Sequence, residues 1–331
     1  MPADPTTALP LRASYEAVKT GRPFDEDVLL SVVFGSHTPC PDDQRCLHID
    51  LAPLAGAACI EVWRGIGPVR VGTAGQVRYA EDGTHCAGWL SIEEEAVGNL
   101  ADATQAAYRS LLRFQAESPY RHVWRMWNYV ADINAGEGDE ERYRQFCLGR
   151  ARAFAAEMAD AQAIGYPAAS AVGKRGSART LEVCWIASRS PGITVENPRQ
   201  VSAFEYPREY GPASPTFSRA TVTSDRLLLV SGTASIVGHI SMHAGNLAAQ
   251  IEETFRNIDA LVERSTAERL IKPTPLDQHS TVKAYLRDAS DAASVTQELR
   301  RRLGPSVPVL LLAADICRSD LLIEIEVAHQ G

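Results

Sequence analysis

Between residues 227 and 329 the chain follows an order of segments that few folds accommodate. An apolar run, LLLVSGTASIVG (227–238), leads through a loop with Gly245 into NLAAQIEETFRNIDALVERSTA (246–267), whose apolar residues recur at helical spacing. HSTVKAYLRD (279–288) reads as a strand and ASVTQELRRRLG (293–304) as a helix stopped at Gly304. VPVLLLAADIC (307–317) and LLIEIEVAH (321–329) read as two more strands. The order β-α-β-α-β-β makes one α+β domain. Its long helix is expected to lay Leu247, Ile251, Phe255 and Ile258 on a sheet.

The first half repeats that order more loosely, which suggests an internal duplication. LLSVVFG (29–35), LHIDLAPL (47–54), CIEVWRG (59–65) and VRVGTAGQVRYAED (69–82) read as strands, and CAGWLSIEEE (86–95) as a strand entering a helix. The helix spans 91–118, with Ser91 and Glu94 at capping-box spacing. A buried strand (122–134), a helix (140–159) and a strand (181–188) follow. At 331 residues the chain exceeds one ordinary core, so two units are expected, 21–195 and 226–331. Between them, 196–225 is a connecting loop rich in Pro, Tyr and Arg, and residues 1–20 form a Pro-rich loose arm.

A formal net charge of −8 argues against nucleic acid and anionic membranes as partners. No apolar run reaches membrane-spanning length, and MPADPTTALPLRASYEAV has neither a basic start nor an apolar signal core, so a cytoplasmic protein is expected. The seven cysteines (40, 46, 59, 86, 147, 184 and 317) show no CxxC pair and read as buried reduced thiols.

Three features bear on chemistry. His239 and His243 have i, i+4 spacing, but flanking Gly238 and Gly245 place them in a loop, and no carboxylate stands between them; loop hydrogen bonding is the preferred reading over a metal. The glycines at 232, 238 and 245 lack the lysine and spacing of a phosphate loop. In LLIEIEVA, period two puts Leu321, Ile323, Ile325 and Val327 on one face and Glu324 with Glu326 on the other. That pair is either a solvated edge or a buried couple in which one carboxyl keeps its proton longer.

Ser231-Gly232, Gly245, Gln250 and Asn257-Ile258 followed by Leu261 resemble the RidA (YjgF) superfamily over about residues 226–329. The enamine deaminases of that superfamily carry an arginine after proline on the penultimate strand; this chain has Pro308-Val309-Leu310, so their usual reaction is not implied. WNYVADIN, ENPRQVSAFEYPREYGPASPTFSRA, VSGTASIVGH and LLLAADICRSDLLIEIE resemble the chorismatases over roughly 120–329. That resemblance implies two RidA-like α+β domains, each a mixed sheet packed by helices on one face, with the site between them. It implies release of pyruvate from chorismate, leaving a hydroxybenzoate (3-hydroxybenzoate, with 4-hydroxybenzoate beside it) or a dihydroxycyclohexadiene carboxylate. No metal and no cofactor are implied, and a fused pair of domains is expected to be a monomer or weak oligomer.

The resemblance puts Glu324 in the catalytic position, as general acid to the enol ether, with Glu326 structural. A dianionic substrate calls for cationic clamps. Candidates are Arg125, Arg219, Arg287 and Lys283, with Tyr206 or Tyr210 hydrogen-bonding a carboxylate. Arg142, Arg144 and Arg150 read mostly as surface charges on a helix. Ser231, Gly232 and Ala234 are expected at the pocket wall, and Cys317 as a pocket-lining thiol rather than a nucleophile. Ala234 and Cys317 together are expected to size the space beside the ring and so select the product. A different class stays open: a RidA-like module that binds a small molecule without turning it over.

Overall fold

The computed structural model describes residues 11–17, 24–36, 38–56, 60–158, 165–176 and 178–330. Four strands open the chain: β1 (Arg12–Glu16), β2 (Val28–Phe34), β3 (Cys46–Ile49) and β4 (Ile60–Arg64), in the order β1-β4-β2-β3. Part of the expected loose arm is therefore a strand: Arg12–Glu16 pairs antiparallel with β4, tied by Arg12 to Asp27 at 2.8 Å. Residues 1–10 and Cys59 lie outside the described residues. Cys40 and Cys46 are joined in a disulfide, against the expectation of reduced thiols; Cys86, Cys147, Cys184 and Cys317 are free. Their spacing of six residues carries no sequence signal, and a loop turning into β3 brings them together.

The second sheet is built from β5 (Arg70–Ala74), β6 (Val77–Glu81), β7 (His85–Glu93), α1 (Leu100–Glu117), β8 (His122–Ala131), α2 (Arg142–Glu157), β9 (Ala168–Lys174) and β10 (Thr180–Ser188). Its order is β5-β6-β7-β10-β8-β9. The run 69–82 is a hairpin turning at Gly75 rather than one strand. The first helix starts at Leu100 and is capped by Asn99, whose side chain accepts from Asp102 N; Ser91 and Glu94 do not cap it, because β7 runs through Ser91. AASAVGK, which becomes β9, is poor in strand-forming residues, yet pairs parallel with β8.

The third sheet comes from β11 (Ile193–Val195), β12 (Ala220–Val222), β13 (Leu227–Thr233), α3 (after the hairpin β14, Ile236–Val237, and β15, Ile240–Ser241; helix Leu247–Ala267), β16 (Ser280–Leu286), α4 (Ala292–Leu303), β17 (Val309–Ala313) and β18 (Ile323–Gln330). Its order, β11-β12-β13-β18-β16-β17, repeats that of the second sheet position for position, down to a parallel pair at the far edge. The register repeats too: Glu324 stands opposite Tyr285 as Glu182 stands opposite Tyr129. The repeated order suggested by the sequence is present in strand order and register, and the two sheets diverge in chemistry. Glu182 is paired with Lys174 at 2.7 Å, whereas Glu324 has no such partner among the described residues.

Each six-stranded sheet carries its helices on one face. In the third sheet Ile251, Phe255 and Ile258 pack on Leu228, Val230, Ile323 and Ile325, with Leu247 partly buried beside them. The opposite face looks inward, onto the first sheet and the other unit, through Trp63, Trp127, Tyr129 and Tyr285. Strand β18 is central, between β13 and β16, so its second face is buried as well. The units also meet edge to edge. Ala169 N donates to Ser231 Oγ (2.9 Å) and Gly232 N to Ser170 Oγ (2.9 Å), and Gly173 exchanges backbone hydrogen bonds with Asp315. Buried His85 bridges Asp82 of its own unit (3.0 Å) and Asp225 of the other (3.2 Å). Burial alone would push its pKa down, but the two carboxylates override this and raise it to about 9. No helix among the described residues is long and apolar enough to cross a membrane.

Candidate active site

A cavity of about 340 Å³ opens between the two units, against the C-terminal ends of α3's loop, β13 and the turn before β18. Its wall includes Tyr206, Tyr210, Phe217, Arg219, Ala234, Cys317, Arg318 and Glu324. Glu324 is 3% exposed. Its carboxyl lies against Gly232, where a Cβ would overlap Oε1, so only glycine permits this approach. Burial, and then the charge of Glu326, raise its pKa from 4.5 to about 8, with Arg125 opposing in part. At neutral pH this carboxyl holds a proton.

Two residues on, Glu326 is also buried, and its state is the reverse. It receives hydrogen bonds from Ser170 Oγ (2.6 Å), Tyr285 OH (2.9 Å) and Trp127 Nε1 (3.1 Å), pairs with Lys283 at 2.7 Å and is bonded by Arg125 Nη2. Lys283 also bonds Glu61 of the first sheet, whose Oε1 accepts from Trp63 Nε1 (3.1 Å). Burial favours the protonated form of Glu326, but Lys283 and Arg125 outweigh it and hold the group well below the ordinary carboxylate range. Two carboxyls on one strand face are thus driven apart, one to an acid and one to a permanent anion, which is the pattern of an acid–base site.

Three arginines stand on the cavity wall: Arg144 pairs with Glu141 at 3.0 Å, whereas Arg219 and Arg318 form no salt bridge among the described residues. Arg219 Nη2 donates to Tyr206 OH and Val201 O, both at 2.8 Å, with its guanidinium over Phe217 at 5.2 Å. Arg318 donates to His239 O (2.9 Å) and Ser241 Oγ (3.1 Å) and stacks over Tyr210 at 4.2 Å. Arg219 N donates to Glu196 Oε1 at 3.3 Å, and Glu141 and Asp320 also stand on the cavity wall. An anion entering the cavity meets two guanidiniums with donors to spare.

Residues 61–187 match the family described as chorismatase FkbO/Hyg5-like, N-terminal. A 3-hydroxybenzoate synthase of Streptomyces hygroscopicus is 35% identical over 85% of this chain and 84% of its own length. The chain belongs to the chorismatase family. A chorismatase of Streptomyces rapamycinicus is 35% identical over 80% of either chain. A chorismatase crystal structure superposes with a TM-score of 0.84 at 30% identity, covering 96% of this chain and 98% of its own.

Within this member of the chorismatase family, the expected site divides in two. Glu324, Gly232, Ala234, Cys317, Tyr206, Tyr210 and Arg219 meet at the cavity. Arg125, Lys283 and Arg287 do not, which corrects the expectation that they clamp substrate. Arg125 and Lys283 are 2% and 1% exposed and spent on Glu326 and Glu61. Arg287 binds Asp315 at 2.8 Å and the carbonyls of Ile316, Arg318 and Leu321, so it braces the turn that carries Cys317 and Arg318. Ser231 lies beneath the wall, its hydroxyl donating to Ser218 O at 2.6 Å. Arg142 and Arg150 are buried rather than on the surface, Arg142 against Glu94 at 2.9 Å. Burial, and then Glu324, push the Cys317 thiol up, which is unsuited to a nucleophile.

Sequence reasoning missed Arg318, although it sits next to Cys317 in the phrase ICRSDL. Nothing local marks it; a tertiary turn aims it between Tyr206 and Tyr210. The superfamily-like residues Gln250 and Asn257 prove to be braces. Gln250 accepts from Leu322 N (2.7 Å), and Asn257 donates to Ala234 O and Ile236 O (3.0 and 2.9 Å), fixing the segments on either side of the cavity. The two loop histidines part: His239 meets Tyr210 OH at 3.1 Å and His243 faces Glu253 at 3.6 Å.

Proposed function

We propose that this chain cleaves the enolpyruvyl ether of chorismate, with Glu324 as the general acid, giving pyruvate and 3-hydroxybenzoate. One observation carries the reading: a carboxyl whose pKa is raised to about 8 faces a cavity flanked by two arginines that form no salt bridge among the described residues. The O–H bond of Glu324 breaks as a C–H bond forms at the vinyl methylene. The ether carbon becomes an oxocarbenium centre. The ring C3–O bond then breaks with its electron pair going to oxygen, releasing pyruvate, as the neighbouring C4 hydroxyl oxygen bonds C3 and gives its proton back to the Glu324 carboxylate. Opening of that epoxide at C4 with loss of the C3 proton leaves the oxygen on C3 of an aromatic ring. The atoms of chorismate divide between pyruvate and hydroxybenzoate with no net water. Arg219 and Arg318 hold the two carboxylates, and the aromatic rings stacked on them restrict the guanidiniums to one orientation.

The product assignment is supported by the 3-hydroxybenzoate synthase relative and by Ala234 and Cys317, which stand on the same wall as Glu324. Incubation of the full chain with chorismate, followed by chromatography, is expected to show pyruvate with 3-hydroxybenzoate and at most minor 4-hydroxybenzoate. A non-aromatic diol in their place would make the chain a hydrolase, and absence of pyruvate would leave a binding module. The clamps are tested separately. Arg219→Met and Arg318→Met should each raise KM for chorismate about 10- to 100-fold, the worth of a charge-assisted hydrogen bond. An unchanged KM in either would remove that arginine from the site. We place the reaction in a monomer or weak oligomer, because the two units already cover each other's inner faces; a stable trimer in sedimentation would contradict this.

A further inference from the structure

Adjoining the main cavity beside Glu324, and sharing Phe217, Gly232 and Cys317 with its wall, lies a smaller chamber of about 30 Å³, lined also by Tyr143, Arg150, Ser170 and Thr216. That is room for one or two waters and nothing larger. Two of its walls are unsatisfied. Arg150 is 3% exposed, and its guanidinium contacts only Met126 Sδ at 3.6 Å and the faces of Tyr108 and Phe154, with no acidic partner among the described residues. Its Nε and the hydroxyl of Thr216, 7% exposed, are buried without a hydrogen-bond partner. Buried donors of this kind are met by ordered water in folded proteins. Glu324 likewise makes no hydrogen bond among the described residues, and its carboxyl lies against Gly232.

We infer that the chamber is an internal hydration site, in which water held by Arg150 and Thr216 donates a hydrogen bond to the Glu324 carboxylate formed when the acid gives up its proton. The valences close. Such a water accepts from Arg150 Nε–H and Thr216 O–H and has two protons to donate, one of them to Glu324. The site matters because substrate filling the main cavity shuts bulk water away from Glu324. Arg150 and Thr216 are then positioning residues, acting on the reaction through the acid. This role rests on the reading of Glu324 as general acid; the hydration site itself does not.

The test is Thr216→Val, which keeps the side-chain volume and removes the hydroxyl. Crystals of the full chain should show water within hydrogen-bonding distance of Arg150 Nε and Thr216 Oγ1, and lose it in the variant. The variant's kcat should fall about 10-fold with KM unchanged. The basic limb of its pH profile should move up, because the ionised acid has lost a donor. Thr216→Ser should restore both. A dry wild-type chamber overturns the site whatever the activity. Water present with kcat and limb unmoved overturns the role, as does a drop in Tm alone. Should the wild-type chain release no pyruvate, the reading of function fails, while the electron density still decides the site.

Discussion

Glu324→Gln should cut pyruvate release from chorismate about 10²- to 10⁴-fold, the usual contribution of a positioned general acid, while chorismate still binds. The substitution is mild for the fold. Among the described residues the carboxyl makes no hydrogen bond that an amide would break, and the amide has the same shape beside Gly232. Loss of turnover with retained binding, by calorimetry, separates an enzyme from a binding module. The pH profile gives a second check on the same group. Glu324 acts in its protonated form, so activity should be full well below about 8 and fall as pH rises through that value. A wild-type basic limb near the ordinary carboxylate range, or turnover surviving in Glu324→Gln, would put the acid elsewhere. The free thiol of Cys317 is no rescue candidate, since burial keeps it from ionising.

How much of this was legible beforehand differs by kind of signal. Period two placed Glu324 and Glu326 on one strand face, and that holds because β18 is a regular strand. Whether that face was wet or buried depended on β18 lying between β13 and β16, a sheet order that no local pattern encodes. The four candidate cations show the same limit. Arg125, Arg219, Arg287 and Lys283 look alike in sequence, each set among apolar or aromatic residues. Only tertiary structure reveals that Glu326 and Glu61 occupy two of them, that Asp315 occupies a third, and that Arg219 alone faces the cavity. Strand β9, rich in alanine, escaped notice because its stability comes from pairing with β8 and docking on β13, not from its own composition. The duplicated units show why one of two equivalent glutamates is free to act. At Glu182 a lysine from β9 pairs with the carboxylate, whereas Glu324 makes no such pair among the described residues.

Glu326→Gln should destabilise the protein by about 3–5 kcal/mol, far more than the loss of any surface charge. Glu61 and Glu326 balance Arg125 and Lys283 in a tetrad that ties all three sheets together and is closed to water. An amide at 326 keeps the shape and some hydrogen bonds from Ser170, Tyr285 and Trp127, but leaves one buried positive charge in excess. Denaturant unfolding measures the cost, and the double variant Glu326→Gln with Lys283→Met should recover much of it, since charge balance returns. Recovery would show that charge, not packing, made the loss. The single variant should also touch catalysis without touching substrate. The anion at 326 is one of the two causes that raise the Glu324 pKa, so its removal should move the basic limb of the activity profile down in pH. A variant as stable as wild type would mean that the tetrad is not balanced in the way described, and an unmoved limb would mean that burial alone keeps Glu324 protonated. In the arrangement drawn here both shifts follow from one group, because the tetrad that holds the sheets together supplies the negative charge that keeps its neighbour an acid.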